Sequence, residues 1–194
     1  MKRFLFSVAF VFGLSALYAQ TGATIKGKAF GVSYTLHDYK TVNDLDVLGT
    51  SAVLTAKDWK KINRMKPGIA LNYTKGLNEH FDVNARLGFS YVDYKLSTQP
   101  YMNNTISRPL FELDASLFMK LVTDDYWVSP FLSLGAGASS WRGYGAAYIP
   151  AGVGLQLNLY DKTYVVLQSQ YRSPVTANAS GHLFHGLSLM ATLD

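Results

Sequence analysis

Six charged side chains, Asp82, Arg86, Glu112, Asp114, Lys120 and Arg172, fall on the same alternating row of the chain as Asn72, Asn84, Gln156, Asn158, Gln168 and Gln170. Paired carboxylates such as Glu112 and Asp114 can perform acid and base chemistry. Carboxylates interleaved with arginine and lysine can instead neutralise one another, with Arg86 facing Glu112 or Asp114 as the expected pair. Histidine gives a sharper test. His182 and His185 resemble a metal pair in spacing, but an odd separation on a strand sends them to opposite faces. His37 and His182 share the polar row and read as hydrogen-bonding groups near a rim, so no metal and no cofactor is expected. The chain has no cysteine, which removes disulfides, thiolate metal sites and thiol nucleophiles together. The glycine pairs precede no helix that would cradle a phosphate, and Asn43-Asp44-Leu45-Asp46 lacks the glycine and distal glutamate of a calcium loop.

The elements that hold these residues are strands. From Phe81 to Tyr91 every odd position is apolar or aromatic and every even one is polar or glycine, and Phe111 to Leu117 repeats the pattern. Eight such segments are predicted, at about 28–37, 67–75, 80–92, 110–122, 126–139, 147–159, 163–173 and 183–193. Long connections (Lys40 to Lys66, Tyr94 to Arg108) alternate with short ones (Gly76 to Glu79, Thr123 to Asp125, Tyr160 to Lys162), while Ser140 to Ala146 and Pro174 to His182 are intermediate. That rhythm fits a transmembrane antiparallel up-and-down β-barrel with both termini in the periplasm. Gly31, Gly68, Gly88, Gly135, Gly137, Gly152, Gly154 and Gly186 all lie on the polar row, which suits a narrow lumen and turns the apolar row outward. A secreted lipocalin-like binding barrel, the competing all-β reading, would keep the apolar row inside. Tyr126, Trp127, Tyr160 and Tyr164 are expected at the periplasmic interface, and Tyr94, Trp141, Tyr144, Tyr148 and Tyr171 at the outer one.

Residues 1–19 read as a signal peptide, with Lys2 and Arg3 before the apolar run Phe4 to Leu14 and small residues up to Ala19. Residues 20–194 then form one barrel domain. Losing Lys2 and Arg3 takes the formal charge from +5 to +3, without the concentrated basic stripe of a nucleic-acid binder. No later stretch has the length of a transmembrane helix.

The runs Ala29-Phe30-Gly31-Val32-Ser33-Tyr34, Trp127 to Gly137 and Gly152 to Leu159 resemble those of the eight-stranded outer-membrane barrels of the OmpA/OmpX type, and in particular the small outer-membrane β-barrel domains of Bacteroidetes. The resemblance covers residues 28–194 and implies location in the outer membrane of a Gram-negative cell. It also implies contact with membrane lipids and lipopolysaccharide, and insertion by the barrel assembly machinery. Its patterns are architectural and name no activity. The chain ends at the eighth strand, so the peptidoglycan-binding domain that many OmpA relatives append is not carried over, and Asp194 stands where relatives end in an aromatic.

Two surfaces remain. Ser169 and His185 share the lipid-facing row of adjacent strands and resemble the pair that outer-membrane lipid A deacylases turn toward lipid, but no orienting carboxylate accompanies them on that face. In the first long connection, Thr55 to Lys66 is predicted to form a short helix capped by Thr55, whose Lys57, Trp59, Lys60, Lys61 and Arg64 would meet lipopolysaccharide phosphates or a surface protein partner. The expected function is non-enzymatic. It is that of an envelope structural protein or a surface adhesion scaffold, with a plugged polar lumen and its specificity in the outer loops. A narrow porin-like pore and a lipid A-modifying enzyme are the alternatives.

Overall fold

In the computed structural model, which describes residues 26–56, 61–92, 108–160 and 162–193, eight antiparallel strands close into a single barrel in sequence order. The strands are β1 (Lys28–Asp38), β2 (Lys66–Gly76), β3 (Phe81–Val92), β4 (Arg108–Lys120), β5 (Val128–Trp141), β6 (Tyr144–Tyr160), β7 (Thr163–Pro174) and β8 (His182–Thr192). The seam joins β1 to β8, from Ala29 opposite Thr192 to Asp38 opposite Leu183. Closure pairs every strand on both edges, so no row of backbone amides is left to face lipid. The expected leader at 1–19 lies outside the described residues.

Strand periodicity becomes a two-sided wall. Along β4, exposed and buried residues alternate from Pro109 to Lys120, and the exposed set is Pro109, Phe111, Leu113, Ala115, Leu117 and Met119. Val32, Ile69, Leu134 and Leu187 continue the outward apolar belt on other strands, each about half exposed or more. Such a belt is stable only against hydrocarbon. In water it would be an apolar patch far larger than a soluble monomer carries. The lipocalin-like arrangement is therefore excluded by the direction of the rows.

The connections depart from expectation in two places. Between β5 and β6 the intermediate outer loop is a two-residue hairpin, with Trp141 opposite Tyr144 and both Arg142 and Gly143 at positive φ (53° and 83°). A turn of that hand matches the twist of the flanking strands. Between β1 and β2 the predicted cap Thr55 does not start a helix, residues 57–60 of the predicted Thr55 to Lys66 helix lie outside the described residues, and a 3-10 turn occupies Ile62–Arg64. Helix α1 (Tyr39–Leu48) starts where the side chain of Asp38 accepts from Thr41 N at 2.9 Å, and Gly49, at φ 79°, ends it. Helix α2 (Thr50–Ala56) follows, and Thr55 lies inside it, its hydroxyl donating to Ser51 O. Asp38 is the stronger cap because it sits at the end of a strand with an extended backbone, the conformation an N-cap requires.

Candidate functional site

The lumen is the site to which the most chemistry converges, and it is built in layers. Arg86 and Asp114 are register partners on β3 and β4. Arg86 Nε donates to Asp114 Oδ2 at 2.9 Å, and its Nη2 pairs with the same oxygen. Arg172 reaches across from β7, donating from Nη1 to Glu112 Oε1 at 2.6 Å. Arg86 Nη2 also lies 3.6 Å from Glu112 Oε2, and Arg172 Nη2 3.7 Å from Asp114 Oδ2. Two cations thus share two carboxylates. Both guanidiniums sit over the ring of Phe184, at 4.1 and 3.9 Å from its centroid, and the Tyr148 hydroxyl donates to Asp114 at 3.1 Å. All these side chains are buried. The layer draws its charged groups from β3, β4 and β7.

Glycine makes room for it. A Cβ at Gly137 would stand 2.5 Å from Tyr148 Cζ, so only a residue without a side chain lets that ring lie across β5 toward Asp114.

A second layer fills the end where the short turns lie. Lys120 Nζ is 3.1 Å from Asp82 Oδ1 and also pairs with Asp124. Asp124 comes from the turn after β4, which folds back into the mouth. Its Oδ1 accepts from Gln156 Nε2 at 2.7 Å and lies 3.4 Å from Lys26 Nζ. Lys26 also donates to Asn158 at 3.2 Å and lies 3.7 Å above the Tyr164 ring. Burial pushes the Lys26 ammonium below its usual value, against the pull of Asp124. Again two cations meet two carboxylates. Between the layers run neutral bonds, Ser33 to Ser188 at 2.6 Å and Asn84 to Thr74 at 2.8 Å. Beside them an apolar cluster contains Phe118 and Phe131, stacked at 4.4 Å.

Three aromatics expected in interfacial belts are inside instead. Tyr148 and Tyr164 join the two charged layers, and Trp141 packs with Val92 and Leu110 under the outer end. Their even or odd position on the strand decides this, and at these residues it outweighs proximity to a strand end. Trp127, Tyr144 and Tyr171 are exposed.

On the lipid face, Ser169 and His185 are register partners, and Ser169 Oγ lies 3.0 Å from His185 Nδ1. Among the described residues no carboxylate oxygen lies within 4.0 Å of His185, and Asp38, at the end of the same outward row on β1, is engaged in capping α1. The pair is a nucleophile and a base with no contacting orienter. In the first connection, Lys57, Trp59 and Lys60 lie outside the described residues. Lys61 is exposed, whereas Arg64 is held 2.6 Å from Asp44 of α1, so it ties the connection together. That pairing also accounts for Asp44, which lies in a helix and not in a calcium loop.

A closed eight-stranded barrel with a polar, charge-balanced interior and an apolar outer belt is an integral outer-membrane β-barrel of the Gram-negative envelope, with the OmpA/OmpX type of fold. No known protein family matches the chain, and no curated protein matches it by sequence. Its fold is similar to that of Neisserial surface protein A (10% identity, TM-score 0.54, covering 89% of this chain and 100% of that one). It is also similar to the N-terminal β-barrel domain of Pseudomonas aeruginosa OprF (11% identity, TM-score 0.50, covering 87% and 98%) and to the outer-membrane protein OprG of the same organism (8% identity, TM-score 0.50, covering 89% and 96%).

Lys26, Asp124, Tyr148 and Phe184 were not among the expected site residues. Strand parity could have found Tyr148 and Phe184, which share the inward row with Gly152 and Gly186. Nothing local marks Lys26 or Asp124, because both lie beyond strand ends.

Proposed function

We propose that this protein is a non-conducting, non-enzymatic scaffold of the outer membrane. Its barrel serves as an anchor, and its outer connections carry the specificity for lipopolysaccharide or a surface partner. The observation that carries this reading is the outer charged layer. Arg86, Arg172, Glu112 and Asp114 reach into the lumen from β3, β4 and β7 and bury one another, which supports a lumen closed to ions. An ion entering the lumen would have to separate buried charge pairs, which is costly. Among the described residues no carboxylate oxygen contacts the Ser169–His185 pair, which supports the non-enzymatic reading over a lipid hydrolase.

The test is a planar bilayer recording on the purified, refolded protein. No discrete conductance steps are expected from the wild type. Steady single-channel openings would favour the narrow pore. A lipid A mass shift on expression, lost in Ser169→Ala, would favour the enzyme.

A further inference from the structure

The lipid-facing wall carries a furrow between two adjacent rows of outward side chains. Strand pairing sets the upper row, with Leu36 opposite His185, His185 opposite Ser169, Ser169 opposite Val153 and Val153 opposite Leu132. Leu187, Leu167, Leu155 and Pro130 form the lower row in the same register, and Leu121, whose backbone N donates to Pro130 O at 2.8 Å, ends it. Gly186 and Gly154 lie between the rows, and the furrow encloses about 570 Å³, a volume typical of small-ligand sites. We propose that it seats one acyl chain of lipopolysaccharide, whose amide or hydroxyl group beside the head group hydrogen-bonds to Ser169 and His185.

The polar pair carries the argument. Ser169 Oγ and His185 Nδ1, 3.0 Å apart, share one hydrogen, and His185 Nε2 has no hydrogen-bond partner among the described residues. If the serine donates, Nε2 carries a hydrogen and Oγ keeps a lone pair. If Nδ1 donates, the serine hydrogen is free and Nε2 is bare. Either tautomer leaves one donor and one acceptor on two side chains that line the furrow. Hydrocarbon satisfies neither. A ligand group that donates and accepts at once satisfies both.

That requirement selects the lipid. An amide or a hydroxyl offers both functions, and the acyl chains of lipopolysaccharide carry these groups next to the sugar, whereas the ester of a phospholipid only accepts. Depth agrees. His185 is three residues from the end of β8 at which the Tyr39 ring of α1 stacks on His182. At about 3.3 Å per residue and a strand tilt of about 40°, it lies roughly 8 Å below that end. Tyr171, two residues above Ser169 on β7 and 43% exposed, marks the head-group level over the pair. From β8 to the turn after β4, four interstrand steps of about 4.8 Å give the furrow roughly 19 Å in which a chain can lie.

The seat rests on the non-enzymatic reading proposed above, since a hydrolase would cut the chain that the seat holds, but it does not depend on the outer connections. The experiment is native mass spectrometry of the detergent-folded barrel after addition of purified lipid A or of phosphatidylethanolamine. Retention of one intact lipid A, in preference to phosphatidylethanolamine, is expected. His185→Leu and Ser169→Ala should each reduce that retention about fivefold, the worth of one hydrogen bond. The chain with 43–61 replaced by a Gly-Ser linker should retain lipid A as the wild type does. Equal retention by the wild type and His185→Leu, or preference for phosphatidylethanolamine, overturns the seat. Retention lost with the shortened connection and kept in His185→Leu assigns the lipid to the outer loops and also overturns it. Recovery of lipid A with an acyl chain removed overturns the non-enzymatic reading and the seat together, whereas no retention at all overturns the seat alone. Where a variant loses its folded mobility on a gel, nitrogen NMR of the wild type decides: lipid A should move the His185 Nε2 resonance, and an unmoved resonance overturns the proposal.

Discussion

Arg86 is the residue on which the outer charged layer turns, since it pairs with Asp114, approaches Glu112 and lies over Phe184. Arg86→Met should lower stability by roughly 3 to 5 kcal/mol, because Asp114 keeps its burial while losing its closest cation. The shift in the urea midpoint of the micelle-folded protein measures this, and an unchanged midpoint would show that the guanidinium is solvated. Tyr148→Phe removes one bond to a carboxylate and should cost about 1.5 to 3 kcal/mol. Lys26 supplies a pH test at the opposite mouth. Its folded-state value lies below its ordinary one, so the unfolded chain binds more protons and stability rises with pH on approach to 10.5. Comparing unfolding midpoints across alkaline pH, that rise should be smaller in Lys26→Met than in the wild type.

At the scale of elements, the β5–β6 hairpin places a non-glycine residue where L-amino acids are strained. Arg142, at φ 53°, adopts the left-handed region that asparagine tolerates better. Arg142→Asn should therefore hold or raise stability by up to about 1 kcal/mol. Arg142→Pro, which cannot reach positive φ, should disrupt the hairpin and lower the yield of heat-modifiable barrel. The first connection behaves differently. Its α1 begins at Tyr39, whose ring stacks on His182 and packs against the Val92–Leu110–Trp141 cluster, so the first turn of the helix belongs to the barrel's lid. Replacing 43–61 with a short Gly-Ser linker should leave insertion intact, because loop length adds only about 0.6 kcal/mol per doubling. A failure to insert on refolding would make α1 and α2 part of the barrel's structure.

The whole molecule is stabilised by closure. Every strand edge is paired, including the β1–β8 seam, so unfolding must break backbone bonds that lipid or detergent cannot replace. The folded protein should therefore keep a distinct mobility in detergent before boiling and shift after it. Identical mobility would mean that the barrel does not close.

The sequence by itself determined the number of strands and their antiparallel order, because a period of two residues is a local property, and the glycines gathered on the polar row gave the direction of each row. It also brought Asp82, Arg86, Glu112, Asp114, Lys120 and Arg172 to one face of the wall. Which of them meet was decided only by the tertiary structure. Arg172 is 60 residues from Glu112 and reaches it only because closure curves β7 toward β4. Lys26 and Asp124 enter the lumen from beyond the strand ends, where no periodicity applies. Trp141, Tyr148 and Tyr164 looked like interfacial aromatics when judged by their nearness to a strand end, yet parity, register and space beside glycine put them inside. The position of α1 likewise depended on Asp38 ending a strand with an extended backbone, a state set by pairing with β8 and not by its neighbours in sequence.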